Sequence, residues 1–337
     1  MSEKAAKTSR KKVLVTGGAG LIGGRLTAKL LDAGYDVVCF DLAEQFARQK
    51  TMFDGLRDRK SLSVEVGTIM DRTALIKAMN GVDAVFHLAA MLGVRRTEEN
   101  RLRCLDINMG GTDNVLAACA VNRVDHVVVA SSSEVYGEPS HNPLREVDET
   151  KGKTVYAVSK LAAEELTKGY AQLHPWLGFT IVRFFNTYGE GQVAQFVMSR
   201  FVKQVLTGTR PTVYGDGSQR RSYCHVDDTT DALRLILENP ISRGKTYNIG
   251  NPGQVLSLRQ LATTVVETLA PQSGLEPEVS QTFEGTDRTT EREIFNRWCD
   301  ITLARTELGY DPKVTVPEGI RRIAAMGAIH EDWAHQF

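Results

Sequence analysis

The first apolar positions of the chain change from a continuous run to helical spacing within one short segment. The run "VLV", Val13 to Val15, has the length and composition of a buried parallel strand. A glycine-rich turn follows, and "DVVCFD" (36–41) then returns to strand character. Between the turn and Gly34, apolar residues recur at helical spacing, at Leu21, Ile22, Leu26, Leu30 and Leu31. The pattern predicts a strand, a glycine turn, a helix and a second strand.

This alternation continues through the first half of the chain. Two further apolar runs predict strands, "DAVFHLAA" (83–90) and "HVVVASSSEVYG" (126–137), and a helix-like stretch precedes each. Alternating strands and helices indicate an α/β fold, here a Rossmann-type doubly wound parallel sheet. After "VRFF" (182–185) the alternation loosens. A helix is predicted there with an apolar side formed by Phe196, Val197, Phe201, Val205 and Leu206.

Composition and charge exclude several classes of protein. The 337 residues are 42% hydrophobic and 24% charged, and their formal net charge of zero argues against a nucleic-acid or membrane-surface partner. The basic segment 1–12 lacks the apolar stretch of a signal peptide and is expected to be disordered. No apolar run is long enough to span a bilayer, so we expect a cytoplasmic protein. The five scattered cysteines are expected to be small buried side chains, and neither they nor the histidines predict a metal site.

The turn "TGGAGLIG" (16–23) has the spacing of a dinucleotide-binding turn. Gly17 would permit the tight turn, Gly20 the close approach of backbone amides to a pyrophosphate, and Gly23 the packing of helix on strand. The N-terminus of the following helix offers unpaired amides and a positive dipole end to phosphate. Asp41 ends the second strand, where an acid binds the adenosine ribose and repels a 2′-phosphate. The predicted cofactor is NAD.

Tyr156 and Lys160 lie four positions apart in "YAVSK", a spacing that places both on one face of a helix. A phenol in water has a pKa of about 10, and a neighbouring ammonium lowers that pKa toward a useful value. A phenolate so stabilised can take a proton from an alcohol. Ser132 lies at the carboxyl end of a predicted strand, where it could hydrogen-bond the same oxygen.

Together these segments resemble the extended short-chain dehydrogenase/reductases, and within them the nucleotide-sugar epimerases, dehydratases and decarboxylases. The resemblance runs from "VLVTGGAGLIG" through "HLAA", "DINMGGT", "SSSEVYG", "YAVSK", "VRFFNTYGEGQ", "YGDGSQRRSYCHVDD" and "YNIGN" to "ELGYDPKV". It implies that Ser132, Tyr156 and Lys160 are catalytic, and Glu134 is a further candidate. In "VGTIMD" the chain departs from the family, because Thr68 stands where relatives usually have an aspartate against adenine. The expected cofactor-binding residues are Gly17, Gly20, Leu21, Ile22, Gly23, Asp41, Thr68, Ile69, Leu88, Ala89, Ala90, Asn108, Tyr156 and Lys160.

A nucleotide-sugar substrate has two phosphates, which arginine binds best because its guanidinium can make two parallel hydrogen bonds. The expected substrate-binding residues are Ser133, Asn186, Gln192, Tyr214, Arg221, Arg292 and Arg297. The resemblance implies an NAD-binding domain of residues 13–186 plus about 224–248, and a discontinuous substrate domain of residues 187–223 plus about 249–337. It also implies a homodimer.

The resemblance leaves the reaction open among several chemistries. A C4-epimerase needs only room for a 4-keto sugar to rotate, and this is the reaction we expect, with a UDP-sugar as substrate. UDP-glucuronate decarboxylation or 4,6-dehydration would need a further group near C5, and Glu134 is the candidate for it. A dehydrogenase that releases its reduced cofactor is another alternative. A non-catalytic dinucleotide sensor or interaction module is the alternative from another class, although such proteins typically lack the tyrosine and the lysine.

Overall fold

The computed structural model describes residues 11–49, 53–56, 58–280, 294–327 and 329. Within these residues, seven parallel strands form the central sheet: β1 (Lys12–Thr16), β2 (Asp36–Asp41), β3 (Leu62–Val66), β4 (Ala84–His87), β5 (His126–Ser132), β6 (Gly178–Phe184) and β11 (Lys245–Ile249). Their spatial order is β11-β6-β5-β4-β1-β2-β3. The order reverses beside β1, and in open parallel sheets such a reversal creates a crevice at the carboxyl ends of the strands.

Helices connect these strands and cover both faces of the sheet. They are α1 (Leu21–Asp32), α2 (Ala43–Arg48), α3 (Arg72–Ala78), α4 (Val94–Glu99), α5 (Arg101–Leu105), α6 (Gly111–Val121), α7 (Val155–Leu173) and α9 (Val226–Glu238). A π-helical turn, Asp106–Gly110, joins α5 to α6, and a 3₁₀ turn, Ser133–Tyr136, follows β5. Another 3₁₀ turn, Pro240–Ser242, precedes β11. Gly34 follows α1 with a positive φ of 88°, so the helix ends where the sequence predicts.

The alternation of side chains along β1 explains the two apolar layers of the core. Val13 and Val15 point to one face and pack in a cluster with Leu26 and Leu30 of α1. Leu14 points to the other face and packs in a second cluster with Leu116 of α6. Both faces of the strand are therefore buried, which accounts for its unbroken apolar run.

The remaining elements form smaller sheets and a third apolar cluster. The strands are β7 (Thr187–Tyr188), β8 (Thr212–Tyr214), β9 (Arg220–Ser222), β10 (Cys224–His225), β12 (Val255–Ser257), β13 (Glu278–Ser280) and β14 (Asn296–Arg297). The helices are α8 (Val197–Leu206), α10 (Leu258–Leu269), α11 (Thr302–Leu308) and α12 (Val316–Ala325). Phe201, Leu261 and Ile320 bring α8, α10 and α12 together in this cluster. The domain boundaries given above stay a prediction.

Several local predictions differ from the structure. The apolar side of α8 is formed by Met198, Phe201, Val202 and Val205, whereas Leu206 is 48% exposed. Phe196 is the residue before the helix, because its backbone is extended. Strand β4 ends at His87 and strand β5 ends at Ser132. The predicted strands are longer, because they also include residues 88–90 and 133–137. The five cysteines are buried, as the sequence predicts. Arg292 and most of the basic N-terminal segment lie outside the described residues.

Candidate active site

A cavity of about 580 Å³ opens at the carboxyl ends of β1, β4, β5 and β6. It has the size of a small-molecule site. Most of the predicted site residues line it: Gly17, Gly20, Leu21, Ile22, Gly23, Leu88, Ala90, Ser132, Ser133, Glu134, Tyr156, Lys160, Asn186, Gln192, Tyr214, Arg221 and Arg297. The cavity therefore joins the glycine turn at one end to two buried arginines at the other.

Gly17 and Gly23 are glycines of the turn that have no space for a side chain. Gly17 has a φ of 68°, and a Cβ there would lie 2.7 Å from the backbone nitrogen of Ala89. A Cβ on Gly23 would lie 2.0 Å from the carbonyl oxygen of Gly17, so the helix can approach the turn only without a side chain. The first residues of α1, Leu21 to Gly23, line the cavity with the amide end of the helix. This arrangement suits a bound phosphate.

Asp41 supports the turn from the end of β2. Its two carboxylate oxygens accept hydrogen bonds from the backbone amides of Ala19, at 2.9 Å, and Leu42, at 2.8 Å. Burial raises the pKa of Asp41 to about 6, although these two amides act in the opposite direction. A carboxylate has lone pairs beyond these two, so it can still accept a ribose hydroxyl.

The structure does not bring every predicted residue to the cavity wall. Asp41, Thr68, Ile69, Ala89 and Asn108 are not part of its lining. The Asn108 amide is buried and clamps the loop after β4 to α7. Its Oδ1 accepts from the Met91 amide at 2.7 Å, and its Nδ2 donates to the Ser159 hydroxyl at 2.9 Å. Asn108 thus connects the loop after β4 to α7, the helix that carries Tyr156 and Lys160.

Ser132, Tyr156 and Lys160 line the cavity together. The Lys160 nitrogen lies 5.8 Å from the centre of the Tyr156 ring and donates a hydrogen bond to the Ala130 carbonyl at 2.9 Å. Burial raises the pKa of Tyr156, the charge of Glu134 raises it further, and a hydrogen bond from Ser132 lowers it. Burial lowers the pKa of Lys160 to about 8. Phenol, amine and hydroxyl therefore share one partly buried pocket, where electrostatic effects are stronger than in bulk water.

The carboxylate of Glu134 lies in the same part of the cavity. It follows β5, and its Oε2 accepts a hydrogen bond from the Thr154 hydroxyl at 3.3 Å. Thr154 is also the N-cap of α7, where its side chain accepts from the Ala157 amide. The residue that starts the Tyr156 helix thus also orients Glu134. An N-cap threonine before an apolar helix is a signal that could have identified Thr154 from the sequence.

Two buried arginines form the far end of the cavity. Arg221 of β9 and Arg297 of β14 are paired in register, and they are 6% and 7% exposed. The Arg221 guanidinium donates to the carbonyls of Arg220 and Phe295 at 2.9 and 3.0 Å. Both side chains line the cavity, where a guanidinium can make two parallel hydrogen bonds to an anion. The pair is suited to a diphosphate.

The other predicted substrate residues lie along the same wall. Tyr214 of β8 lines the cavity, with the Arg200 guanidinium 5.0 Å above its ring. The Gln192 amide donates to the Thr187 carbonyl at 3.1 Å, and Asn186 has a positive φ of 37°. A flat aromatic ring with a guanidinium above it suits a nucleotide base.

Sequence reasoning missed α2 as a wall of the cavity. Three polar residues that follow Asp41 line the cavity. They are Gln45 and Arg48 of α2, and Gln49 directly after the helix. The Gln49 amide approaches the Gly191 carbonyl at 3.4 Å, so this segment meets the loop after β7. These polar residues have no apolar period, so the sequence carries no clear signal for this part of the wall.

The described residues include neither a metal site nor a membrane-spanning helix. No group of three or more histidine, cysteine or acidic side chains suited to a metal occurs in the described part of the chain. No described helix combines the length and the apolar character needed to cross a membrane.

NAD fits the residues that are present. The close backbone packing at Gly17 and Gly23 keeps side chains out of the turn, and the turn and the amide end of α1 form a cradle that lines the cavity. The cavity continues from this cradle to Tyr156 and Lys160 without leaving the carboxyl edge of the sheet. A dinucleotide can therefore extend from the turn to the reacting groups.

The family-level comparison agrees with this geometry. The model of the NAD dependent epimerase/dehydratase family matches residues 13–250. The chain belongs to this family. Membership confirms the predicted resemblance, and the doubly wound α/β fold and the NAD cofactor with it.

Individual relatives in the epimerase/dehydratase family catalyse different reactions. The UDP-N-acetyl-alpha-D-glucosaminuronate decarboxylase of Bacillus cytotoxicus is 32% identical, over 93% of this chain and 96% of the relative. The crystal structure of the Bacillus cereus UDP-glucuronic acid 4-epimerase with UDP-glucuronic acid and NAD has a TM-score of 0.83 at 28% identity, covering 93% of this chain and 98% of that one. The Thermotoga maritima UDP-glucose 4-epimerase has a TM-score of 0.81 at 25% identity, covering 94% and 98%.

These relatives include both isomerases and lyases. They support an NAD-dependent enzyme that acts on a sugar nucleotide, and they leave the class of reaction open.

Proposed function

We propose that the protein is an NAD-dependent C4-epimerase of a UDP-sugar. The observation that supports this most is the common cavity of Ser132, Tyr156 and Lys160, continuous with the glycine turn. In this proposal NAD supplies, when bound, an acceptor and donor of hydride for the sugar carbon. The residues of the chain handle the proton, the developing charge and the phosphates.

Each residue has a distinct task in the proposed reaction. The Tyr156 phenolate takes the proton of the C4 hydroxyl, and the Lys160 ammonium stabilises that phenolate. The Ser132 hydroxyl donates a hydrogen bond to the C4 oxygen as it becomes a carbonyl. Arg221 and Arg297 hold the diphosphate while the 4-keto sugar turns over. When C4 has regained its hydrogen on the other face, Tyr156 returns the proton to the C4 oxygen, so that the hydroxyl has the opposite configuration.

A second candidate is decarboxylation of a UDP-uronic acid. Loss of CO₂ from a 4-keto uronate needs a group near C5, and the Glu134 carboxylate lines the cavity close enough to raise the pKa of Tyr156. The decarboxylase among the relatives supports this alternative. Ser133 stands beside Glu134, so the acidic pair that would favour 4,6-dehydration is not present in "SSSEVYG".

Proton NMR in D₂O distinguishes these proposals. The purified protein is incubated with NAD and, separately, with UDP-glucose, UDP-glucuronate, UDP-N-acetylglucosamine and dTDP-glucose. We expect a C4-epimer that carries no deuterium. Deuterium at C5 of a UDP-pentose would favour the decarboxylase, and deuterium in a 4-keto-6-deoxy sugar the dehydratase. A folded protein that binds NAD and changes none of these sugars would contradict the enzymatic proposals and favour a sensor.

A further inference from the structure

Helix α7 carries a buried acid one turn beyond the lysine of the site. Tyr156, Lys160 and Glu164 are spaced four residues apart, so they lie on one face of the helix. Lys160 is 5% exposed and Glu164 is 2% exposed. A carboxylate is rarely buried this deeply unless it is paired and hydrogen-bonded. Its partners therefore indicate what it does.

Both oxygens of Glu164 have buried partners. The Arg183 guanidinium of β6 donates from Nε to Oε1 at 2.9 Å and from its terminal nitrogen to Oε2 at 2.7 Å. The Ser131 hydroxyl donates to Oε1 at 2.5 Å. Ser131 and Arg183 are opposite each other in the β5 and β6 pairing. Arg183 is anchored in turn by the Tyr136 hydroxyl, at 3.0 Å. The bidentate pair is therefore fixed from both sides.

Lys160 and Glu164 contact consecutive residues of β5. Lys160 donates to the carbonyl of Ala130, and Glu164 accepts from the side chain of Ser131. The next residue along the strand is Ser132, which lines the cavity. Lys160 and Glu164 thus attach α7 to β5 at the two residues that precede Ser132.

The charges around Lys160 leave Glu164 as its main anionic neighbour. Cys104 of α5 and His87 of β4 also face it, together with Tyr156 of its own helix. Burial raises the pKa of the Cys104 thiol and lowers the pKa of His87 to about 3, so both are neutral near pH 7. Arg183 is the other cation nearby, and its charge is offset by Glu164.

We propose that Glu164 is a positioning residue that keeps the buried Lys160 amine protonated and holds it against β5. The proposal rests on the function proposed above, in which that ammonium stabilises the Tyr156 phenolate. Burial lowers the pKa of Lys160, and Cys104 and then Glu164 act to raise it; because the Cys104 thiol is neutral near pH 7, Glu164 supplies the negative charge. Glu164 thereby acts on the reaction through Lys160 without touching the substrate.

Titration of Lys160 tests this directly and does not require turnover. The protein is labelled with ¹³C-lysine, and the Lys160 side-chain signal is assigned with a Lys160→Met variant. In Glu164→Gln the carboxylate charge is lost, so we expect the titration midpoint of Lys160 to fall by about one pH unit or more. The alkaline limb of kcat should move to lower pH by a similar amount.

Glu165→Gln is the matched control. Glu165 is the next residue of α7, its side chain is 72% exposed, and it pairs with Lys168 on the surface. It should leave the Lys160 midpoint unchanged. An unchanged midpoint in Glu164→Gln as well would overturn the proposal.

Glu164→Gln leaves the Arg183 charge buried, which can prevent folding. The double variant Glu164→Gln/Arg183→Met removes both charges and again should titrate below the wild-type midpoint. A wild-type midpoint in the double variant would contradict the proposal. If no UDP-sugar is converted by the wild type, the proposed function fails while the titration of Lys160 still decides the role of Glu164.

Discussion

Tyr156 lies in surroundings that oppose its ionisation. Burial and the Glu134 carboxylate both raise the pKa of its phenol, whereas the Ser132 hydrogen bond and the Arg297 charge lower it. Lys160 is the nearest cation in the helix, 5.8 Å from the ring centre. In the proposed reaction we therefore expect the phenol to act as a base only when a further positive charge is bound beside it.

Removing the phenol should separate chemistry from binding. We expect Tyr156→Phe to lower kcat roughly 10²–10⁴-fold while the affinity for UDP changes little, because the hydroxyl acts in proton transfer. Steady-state kinetics and calorimetric titration with UDP measure the two quantities. Tyr170→Phe is the control on the same helix. Its hydroxyl donates to Asp113 at 2.7 Å, away from the cavity, so only about 1 kcal/mol of stability should be lost. Equal kinetic losses in both variants would contradict a role in chemistry.

Glu134 should affect the pH dependence of the proposed epimerase with a definite sign. Its charge raises the pKa of Tyr156, so Glu134→Gln should lower that pKa. The acid limb of the kcat profile would then move to lower pH, by up to about one unit, with epimerisation retained. Glu149→Gln, at an exposed acid, should leave the profile in place. Loss of turnover in Glu134→Gln, without a shift of the limb, would instead favour the decarboxylase.

At the level of the elements, the glycine turn and α1 form one rigid unit. A Cβ at Gly23 would lie 2.0 Å from the Gly17 oxygen and 2.8 Å from the Gly17 carbonyl carbon. We expect Gly23→Ala to cost about 2–3 kcal/mol of stability and to weaken NAD binding strongly, since backbone must move. Urea unfolding and NAD titration measure both effects.

Gly169→Ala provides the contrast. Gly169 lies inside α7. Apart from its chain neighbours and the backbone of its own helix, no heavy atom lies within 4 Å of where its Cβ would be. Alanine there should stabilise the protein by about 0.5–1 kcal/mol through its helix propensity and leave NAD binding unchanged. Similar losses of stability and of NAD affinity in the two variants would show that contact with the turn is not what requires glycine at position 23.

The elements nearest the site differ in how far the sequence predicts them. β1, α1 and β2 follow from one switch of apolar period, and Gly34 ends α1 as expected. The contribution of α2 to the cavity wall does not follow, because its polar residues Gln45, Arg48 and Gln49 have no apolar period. That Asn108 helps to hold the cofactor stays a prediction, and the sequence does not show that its amide hydrogen-bonds Met91 and Ser159 outside the cavity lining. Side-chain direction depends on packing, which a linear pattern does not contain.

Over the whole molecule, a network of charges connects three helices that are distant in sequence. Asp227 of α9 accepts hydrogen bonds from Arg25 of α1 and from Arg322 of α12, the second at 2.8 Å. His225 lies beside it, fully buried, 2.9 Å from the Glu190 carboxylate. Glu190 lies in the loop whose next residues line the cavity. No local pattern predicts this network, because its members are brought together only by the fold.

Asp227→Asn should show how much this network stabilises the folded chain. Burial raises the pKa of Asp227, but the hydrogen bonds and charge of Arg25 outweigh it and hold the pKa below its ordinary value. A depressed pKa contributes stability above the unfolded value of about 3.9 and loses it as pH falls through the folded value. We therefore expect a loss of about 1–3 kcal/mol in urea unfolding at neutral pH. The difference from the wild type should shrink below about pH 4.

Asp231→Asn is the control for this prediction, one turn along the same helix. Asp231 is 47% exposed and pairs with Lys29 alone among the described ion pairs, so its loss should cost less than about 1 kcal/mol. His225 lies 3.8 Å from Asp227 and 2.9 Å from Glu190, and the next residue, Gly191, lines the cavity, so Asp227→Asn should raise KM for the sugar nucleotide more than Asp231→Asn does. Equal stability losses in the two variants, or a loss in Asp227→Asn that persists at acid pH, would show that the Asp227 network does not hold the helices together.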